Sequence, residues 1–160
     1  GDADHRVKII LLDTRYFSDN WTKWKPDNLG EKQWNWLESE LQDNDAKFTL
    51  IGSSIQVLPQ DHPITEKLFP GSLRRLTDLL GKYNTEGVIF LSGDVHYAQI
   101  IRTPCAVSPM KYPTYEFTSS GLSHHAEELV PFSRRMMDTF YSNIWDVTPI
   151  FSTFNYGTID

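Results

Sequence analysis

Apolar residues in this chain fall into short runs that read as strands, separated by stretches of helical period. Residues 7–13 read Val-Lys-Ile-Ile-Leu-Leu-Asp and residues 48–53 read Phe-Thr-Leu-Ile-Gly-Ser, two predicted strands that end in polar or small residues. Between them Leu29, Trp34, Leu37 and Leu41 recur at helical spacing, from Asn28 to the turn at Asp43-Asn44-Asp45. A second amphipathic helix is predicted over residues 72–83, with Leu73, Leu76, Leu79 and Leu80 as its stripe. Residues 88–91 are uninterruptedly apolar, as in a central strand buried on both faces. Residues 98–102 and 114–118 follow as further strands. Residues 16–28 and 56–70 lack periodicity, and Pro59, Pro63 and Pro70 keep the second stretch irregular. In the tail, a short helix is expected over residues 134–142 and an arriving strand over residues 154–160. Strand, helix, strand, helix, strand is the rhythm of a layered α/β fold. With no repeat, low-complexity tract or linker, residues 1–160 read as a single unit.

Charge narrows the partners. A formal net charge of -6 and an isoelectric point near 5.3 argue against nucleic acid as a stable partner held by phosphate neutralisation. No run approaches the roughly 18 apolar residues of a membrane span, so no transmembrane segment is expected. Cys105 is the one cysteine, which excludes an intrachain disulfide and a cysteine-rich zinc site.

Polar groups gather where the predicted strands stop. Residues 87–97 read Gly-Val-Ile-Phe-Leu-Ser-Gly-Asp-Val-His-Tyr, and Gly93 would let the chain turn at the carboxyl end of the strand. Open α/β sheets bind their ligands at such ends. Asp94 and His96 would then offer a hard oxygen and an imidazole nitrogen to one divalent or trivalent metal. The other ends carry Asp13-Thr14-Arg15, then Gly52-Ser53-Ser54-Ile55-Gln56, then Ser119-Ser120-Gly121 with His124. If the strands are neighbours, these segments meet along one edge. Each also has a plainer reading: Asp13 and Arg15 as a local pair or a cap, Gln56 as a loop amide, His124 and His125 as solvated residues. Trp34 and Trp36 read as packing residues, and Cys105 as a small apolar filler.

Taken in series, several segments resemble the PhoD-like (alkaline phosphatase D-like) metallophosphatases. They are Val7-Lys-Ile-Ile-Leu-Leu-Asp-Thr-Arg15, Leu29-Gly-Glu-Lys-Gln-Trp-Asn-Trp-Leu37, Ile51-Gly-Ser-Ser-Ile-Gln-Val-Leu-Pro59, Phe90-Leu-Ser-Gly-Asp-Val-His-Tyr97 and Glu116-Phe-Thr-Ser-Ser-Gly-Leu-Ser-His124. The resemblance implies part of an αββα layered sandwich with a mixed sheet, carrying a multi-metal site that hydrolyses phosphate monoesters or diesters. It makes Asp94 and His96 metal ligands, with calcium and iron the expected ions and manganese or zinc also suited to the donors. Arg15 and Gln56 are candidate contacts to the phosphate ester substrate, and His124 a candidate proton donor to the leaving group. An extracytoplasmic or secreted home would follow from the family. The family's earlier aspartate, histidine and asparagine motifs have no counterpart in Gly1 to Arg6, so the chain resembles the C-terminal portion of the catalytic domain. By itself it is expected to be inactive. The alternative is a non-catalytic fragment or interaction module that pairs with a partner chain, with Trp21, Trp24 and Trp145 marking the surface.

Overall fold

The computed structural model describes residues 6–59, 66–105, 108, 110–129 and 147–159. Its elements are β1 (Val7–Leu12), α1 (Gly30–Gln42), β2 (Phe48–Ser53), α2 (Pro70–Lys82), β3 (Val88–Ser92), β4 (Ala98–Thr103), β5 (Thr114–Ser119) and the short α3 (Ala126–Leu129). They form one mixed five-stranded sheet in the order β1-β2-β3-β5-β4. β1, β2, β3 and β5 run parallel, and β4 returns antiparallel to β5 at the far edge. This α/β arrangement matches the sequence pattern, with strand bounds shifted by a residue or two.

Alternation along each strand sorts the side chains onto two faces. Ile10, Leu12, Ile51, Val88, Phe90 and Ile101 point inward and share a core with Trp34, Leu37 and Leu41 of α1 and Leu76 and Leu80 of α2. On the opposite face Val7, Ile9, Leu11 and Phe48 are 52, 65, 73 and 53% exposed. The burial expected on both faces of residues 88–91 is therefore found on one. Val88, Phe90 and Ser92 are buried, whereas Ile89 and Leu91 are half-buried. The described residues supply one sheet and one helical layer of the expected sandwich.

Local chemistry sets the helix starts. Leu29 offers α1 no side-chain cap, and Asp27 instead accepts the Gly30 N–H at 2.7 Å, with Gly30 itself at φ 74°. The Asp27 carboxylate also accepts from Trp34 Nε1 at 2.8 Å and Ser72 Oγ at 2.9 Å, tying both helices to the β1–α1 loop. Pro70 opens α2 at a position where its missing N–H costs nothing, two residues before the expected start. Trp34 is buried as anticipated, but Trp36 faces outward, 41% exposed.

β5 has a different cover. Residues 55–59 cross beneath it as irregular chain, with Ile55, Val57 and Leu58 buried in the core. The strand expected over residues 154–160 does not form. Phe151 makes an isolated antiparallel bridge to Ala98, and residues 152–159 continue as coil. Asn155 is tied to the end of β5 instead: its Oδ1 accepts from Ser119 Oγ at 3.0 Å and from the Gly121 N–H at 3.1 Å, and its own N–H donates to the Gly121 carbonyl at 3.1 Å. Cys105, expected as apolar filler, is exposed. The helix expected over residues 134–142, together with His5, His62 and Trp145, lies outside the described residues.

Candidate functional site

Because β1, β2, β3 and β5 are parallel, their carboxyl ends share one edge, and the polar segments meet there as the sequence suggested. The Gly93–His96 loop lies at the centre of that edge. Gly93 is not the residue with the unusual backbone: Asp94 and His96 themselves sit at φ 75° and 58°. Left-handed backbone costs a side-chain-bearing residue about 1–2 kcal/mol, and such strain persists where surrounding contacts enforce it. Nor does crowding require Gly93, since a Cβ there would meet Ser120 Cβ at 3.4 Å, an ordinary van der Waals contact.

Several bonds enforce the loop's shape. The His96 N–H donates to Ser120 Oγ at 2.7 Å, and the His96 carbonyl accepts the Ala126 N–H at 2.8 Å. His96 Nδ1 lies 3.3 Å from the His124 carbonyl oxygen, which makes Nδ1 the protonated nitrogen and leaves the Nε2 lone pair for a ligand. The His124 ring stands perpendicular to it, 6.4 Å between centroids. Asp94 Oδ1 accepts from Arg15 Nη2 at 2.6 Å, and the other arm of the guanidinium pairs with Glu66. Arg15 thus lies between two carboxylates at the rim.

Asp13 neither pairs with the Arg15 guanidinium nor faces the loop. Its carboxylate accepts the N–H groups of Tyr16 and Arg15, which hold it below the ordinary carboxyl value. Gln56 is fully buried, donating to Thr118 Oγ1 and accepting from the Tyr97 hydroxyl, each at 3.2 Å. The structure therefore brings Arg15 to Asp94 and His96 to His124, and buries Gln56 beneath the edge.

Sequence reasoning passed over Glu116. On β5 it is fully buried, with Oε1 accepting from Ser92 Oγ at 2.5 Å and the Val57 N–H at 2.9 Å, and Oε2 from the Leu58 N–H at 2.6 Å. Burial pushes its carboxyl up, while the Ser92, Leu58 and Val57 donors pull the other way. The available signal was register: in Tyr115-Glu-Phe-Thr-Ser the acid falls on the same face as Thr114 and Thr118.

The family model of the PhoD-like phosphatases matches residues 5–147. The chain belongs to that family. The solved structure of PhoD aligns with a TM-score of 0.59 at 18% identity, covering 71% of this chain and 26% of that one, a likeness that concerns the fold. The chain thus spans about a quarter of the length of that solved protein. Among curated proteins there is no match.

PhoD-like phosphatases work with metal ions, so the donors at the strand edge were tested for fit. One carboxylate and two imidazoles are suitable in kind. They do not converge: among the described residues no group of three His, Cys, Asp or Glu comes together where an ion could be held. A catalytic metal site uses three or more protein ligands. Nearby, a cavity of about 580 Å³ is lined by Arg15, Glu66, Trp21 and Asn28, among others. A second, of about 550 Å³, opens on the exposed sheet face between Leu11, Leu91, Phe117 and Tyr156, and neither Asp94 nor His96 lines it.

Proposed function

We propose that this chain contributes the Asp94–His96 portion of a phosphoric ester hydrolase site, completed by ligands from a second β layer. Membership of the PhoD-like family establishes phosphatase chemistry at the family level. The observation that carries the finer reading is the loop itself: two ligand-type residues, both in strained backbone, at the shared edge of four parallel strands. The apolar outer face supports the second layer, since Val7, Ile9, Leu11 and Phe48 together are more exposed hydrocarbon than one closed sheet leaves. That layer would come from a preceding segment or from a partner chain.

In this reading Asp94 and His96 donate to a cation, and Arg15 turns from Asp94 to the phosphoryl oxygens as a planar fork of donors. His124, exposed at the rim, supplies a proton to the departing oxygen. A bound ion would contribute charge neutralisation of the phosphate. Calcium and iron suit the mixed donors, as do manganese and zinc. Both monoesters and diesters are in scope, in an extracytoplasmic or secreted setting. Gln56 belongs to the support beneath the edge.

The test is hydrolysis of an aryl phosphate and an aryl diester by the chain alone, with each of these four ions added. Background rates are expected, because the two ligands Asp94 and His96 do not hold a working site. Chelator-sensitive turnover at enzyme-like rates would contradict the half-site reading. A second reading, a non-catalytic interaction module, draws on Trp21 and Trp24, 80 and 86% exposed in the loop after β1. Metal analysis after mild isolation separates the two, since a pure interaction module has no reason to bind an ion at residues 94 and 96.

A further inference from the structure

We infer that Glu116 is a positioning residue that holds both ends of the Asp94–His96 loop through one buried relay of hydrogen bonds. The inference rests on the reading of Asp94 and His96 as the metal-holding pair. Its starting point is a fully buried acid on β5, surrounded by donors and with no cationic partner among the described residues. Such a group is costly unless its acceptor capacity is filled, and three bonds fill it here.

The relay has a direction. Ser92 Oγ donates to Glu116, so it must accept from Thr118 Oγ1, 2.9 Å away. Thr118 Oγ1 in turn accepts from Gln56 Nε2, whose Oε1 accepts from the Tyr97 hydroxyl. The donors thus run from Tyr97 to Gln56, Thr118 and Ser92 and end on an acceptor-only carboxylate. Ser92 is the last residue of β3 before Gly93, and Tyr97 the first after His96. Both ends of the strained loop are therefore clamped by the same network. A purely structural acid would need only the Val57 and Leu58 N–H groups, which belong to the irregular cover of β5.

Hydrogen exchange of the full chain tests this with three variants. In Glu116→Leu no acceptor is left for Ser92 Oγ, so the relay loses its terminus. Val57 and Leu58 loosen on any account, whereas the amides of His96 and Tyr97 touch neither Glu116 nor its direct partners. Exchange there is expected to rise on the order of tenfold, the loss of about one hydrogen bond. Thr118→Val cuts the relay while leaving the Glu116 bonds to Val57 and Leu58 in place. It should release His96 and Tyr97 with residues 57 and 58 unchanged, and Thr118→Ser should restore protection. Unchanged exchange at His96 and Tyr97 in Thr118→Val, or equal loosening of every strand, would overturn the inference. The measurement reads the loop without any metal, so release of the loop in a chain that fails to bind ions would leave the positioning role standing and remove the hydrolase reading alone.

Discussion

On the helix side of the sheet Ile51 and Phe90 are sealed from water, while on the other side Ile9 and Leu11 of β1 stand 65 and 73% exposed. Both sets are apolar: Ile9 and Leu11 come from the Ile-Ile-Leu-Leu run of β1, Phe90 from the Val-Ile-Phe-Leu run of β3, and Ile51 from the Phe-Thr-Leu-Ile of β2. A sheet with one solvated face normally alternates apolar and polar residues, whereas strands apolar on both faces belong between two layers. In the proposed half-site reading, the difference means that this sequence is written for two covers and that the described residues supply one. In the same reading, a second layer would bring its own strand ends to the edge and complete the ligand set.

Truncation on the two faces is the sharpest way to break that contrast. Phe90→Ala or Trp34→Ala is expected to cost about 3–5 kcal/mol in denaturant melts, the range for large buried aromatics. Ile9→Ala and Leu11→Ser should cost about 0.5 kcal/mol or less, as exposed positions do. Comparable losses on both faces would mean that the outer face is covered in solution.

A smaller effect, of opposite sign, is expected at the loop. Relief of left-handed strain is worth about 1–2 kcal/mol, less roughly 0.5–1 kcal/mol for the greater unfolded freedom of glycine. His96→Gly should therefore stabilise the chain by about 0.5–1 kcal/mol while removing the imidazole. A loss of stability of that size would show that the side chain is held for packing.

The smallest effect is a pH dependence among the groups on the helix side. Burial tends to raise the Asp27 carboxyl, but hydrogen bonds from Trp34, the Gly30 N–H and Ser72 outweigh it and hold the folded value below the ordinary 3.8. Its stabilising contribution is thus complete above the unfolded value and lost as the pH falls through the folded one. Glu116 has the opposite sign, because burial raises it above 4.5, so its cost to folding grows as the pH rises through that window. Melts of Asp27→Asn from acid to neutral pH should show a flatter acid limb than the unaltered chain. An unchanged limb would mean that Asp27 does not keep these partners in solution.

Much of this was legible in the sequence, for identifiable reasons. The strands and both long helices follow from runs and stripes that local periodicity reports directly, as at Val88–Ser92 and at Leu73, Leu76 and Leu80. Asp94 and His96 could be singled out because a strand end and a glycine bracket them. Glu116 could not, since an acid within a strand reads as a solvent-facing residue until pairing with β3 sets it beside Ser92. Gln56 was misplaced for the same reason: its burial depends on Thr118 and Tyr97, both far along the chain. The left-handed backbone at Asp94 and His96 was hidden because Gly93 offered a simpler turn. The strand expected over residues 154–160 is replaced across 154–159 by coil, whose Asn155 bonds to Ser119 and Gly121 depend on a partner segment far back along the chain.

The central claim, that the Asp94 carboxylate and the His96 imidazole face a common cation at the strand edge, is tested most directly by adding Mn²⁺ to the isotopically labelled chain and mapping the broadened amide signals. Selective broadening at residues 93–97 and 120–125, abolished by Asp94→Asn and by His96→Ala, is the predicted result. Broadening that spreads over the acidic surface, or that survives both substitutions, would contradict it.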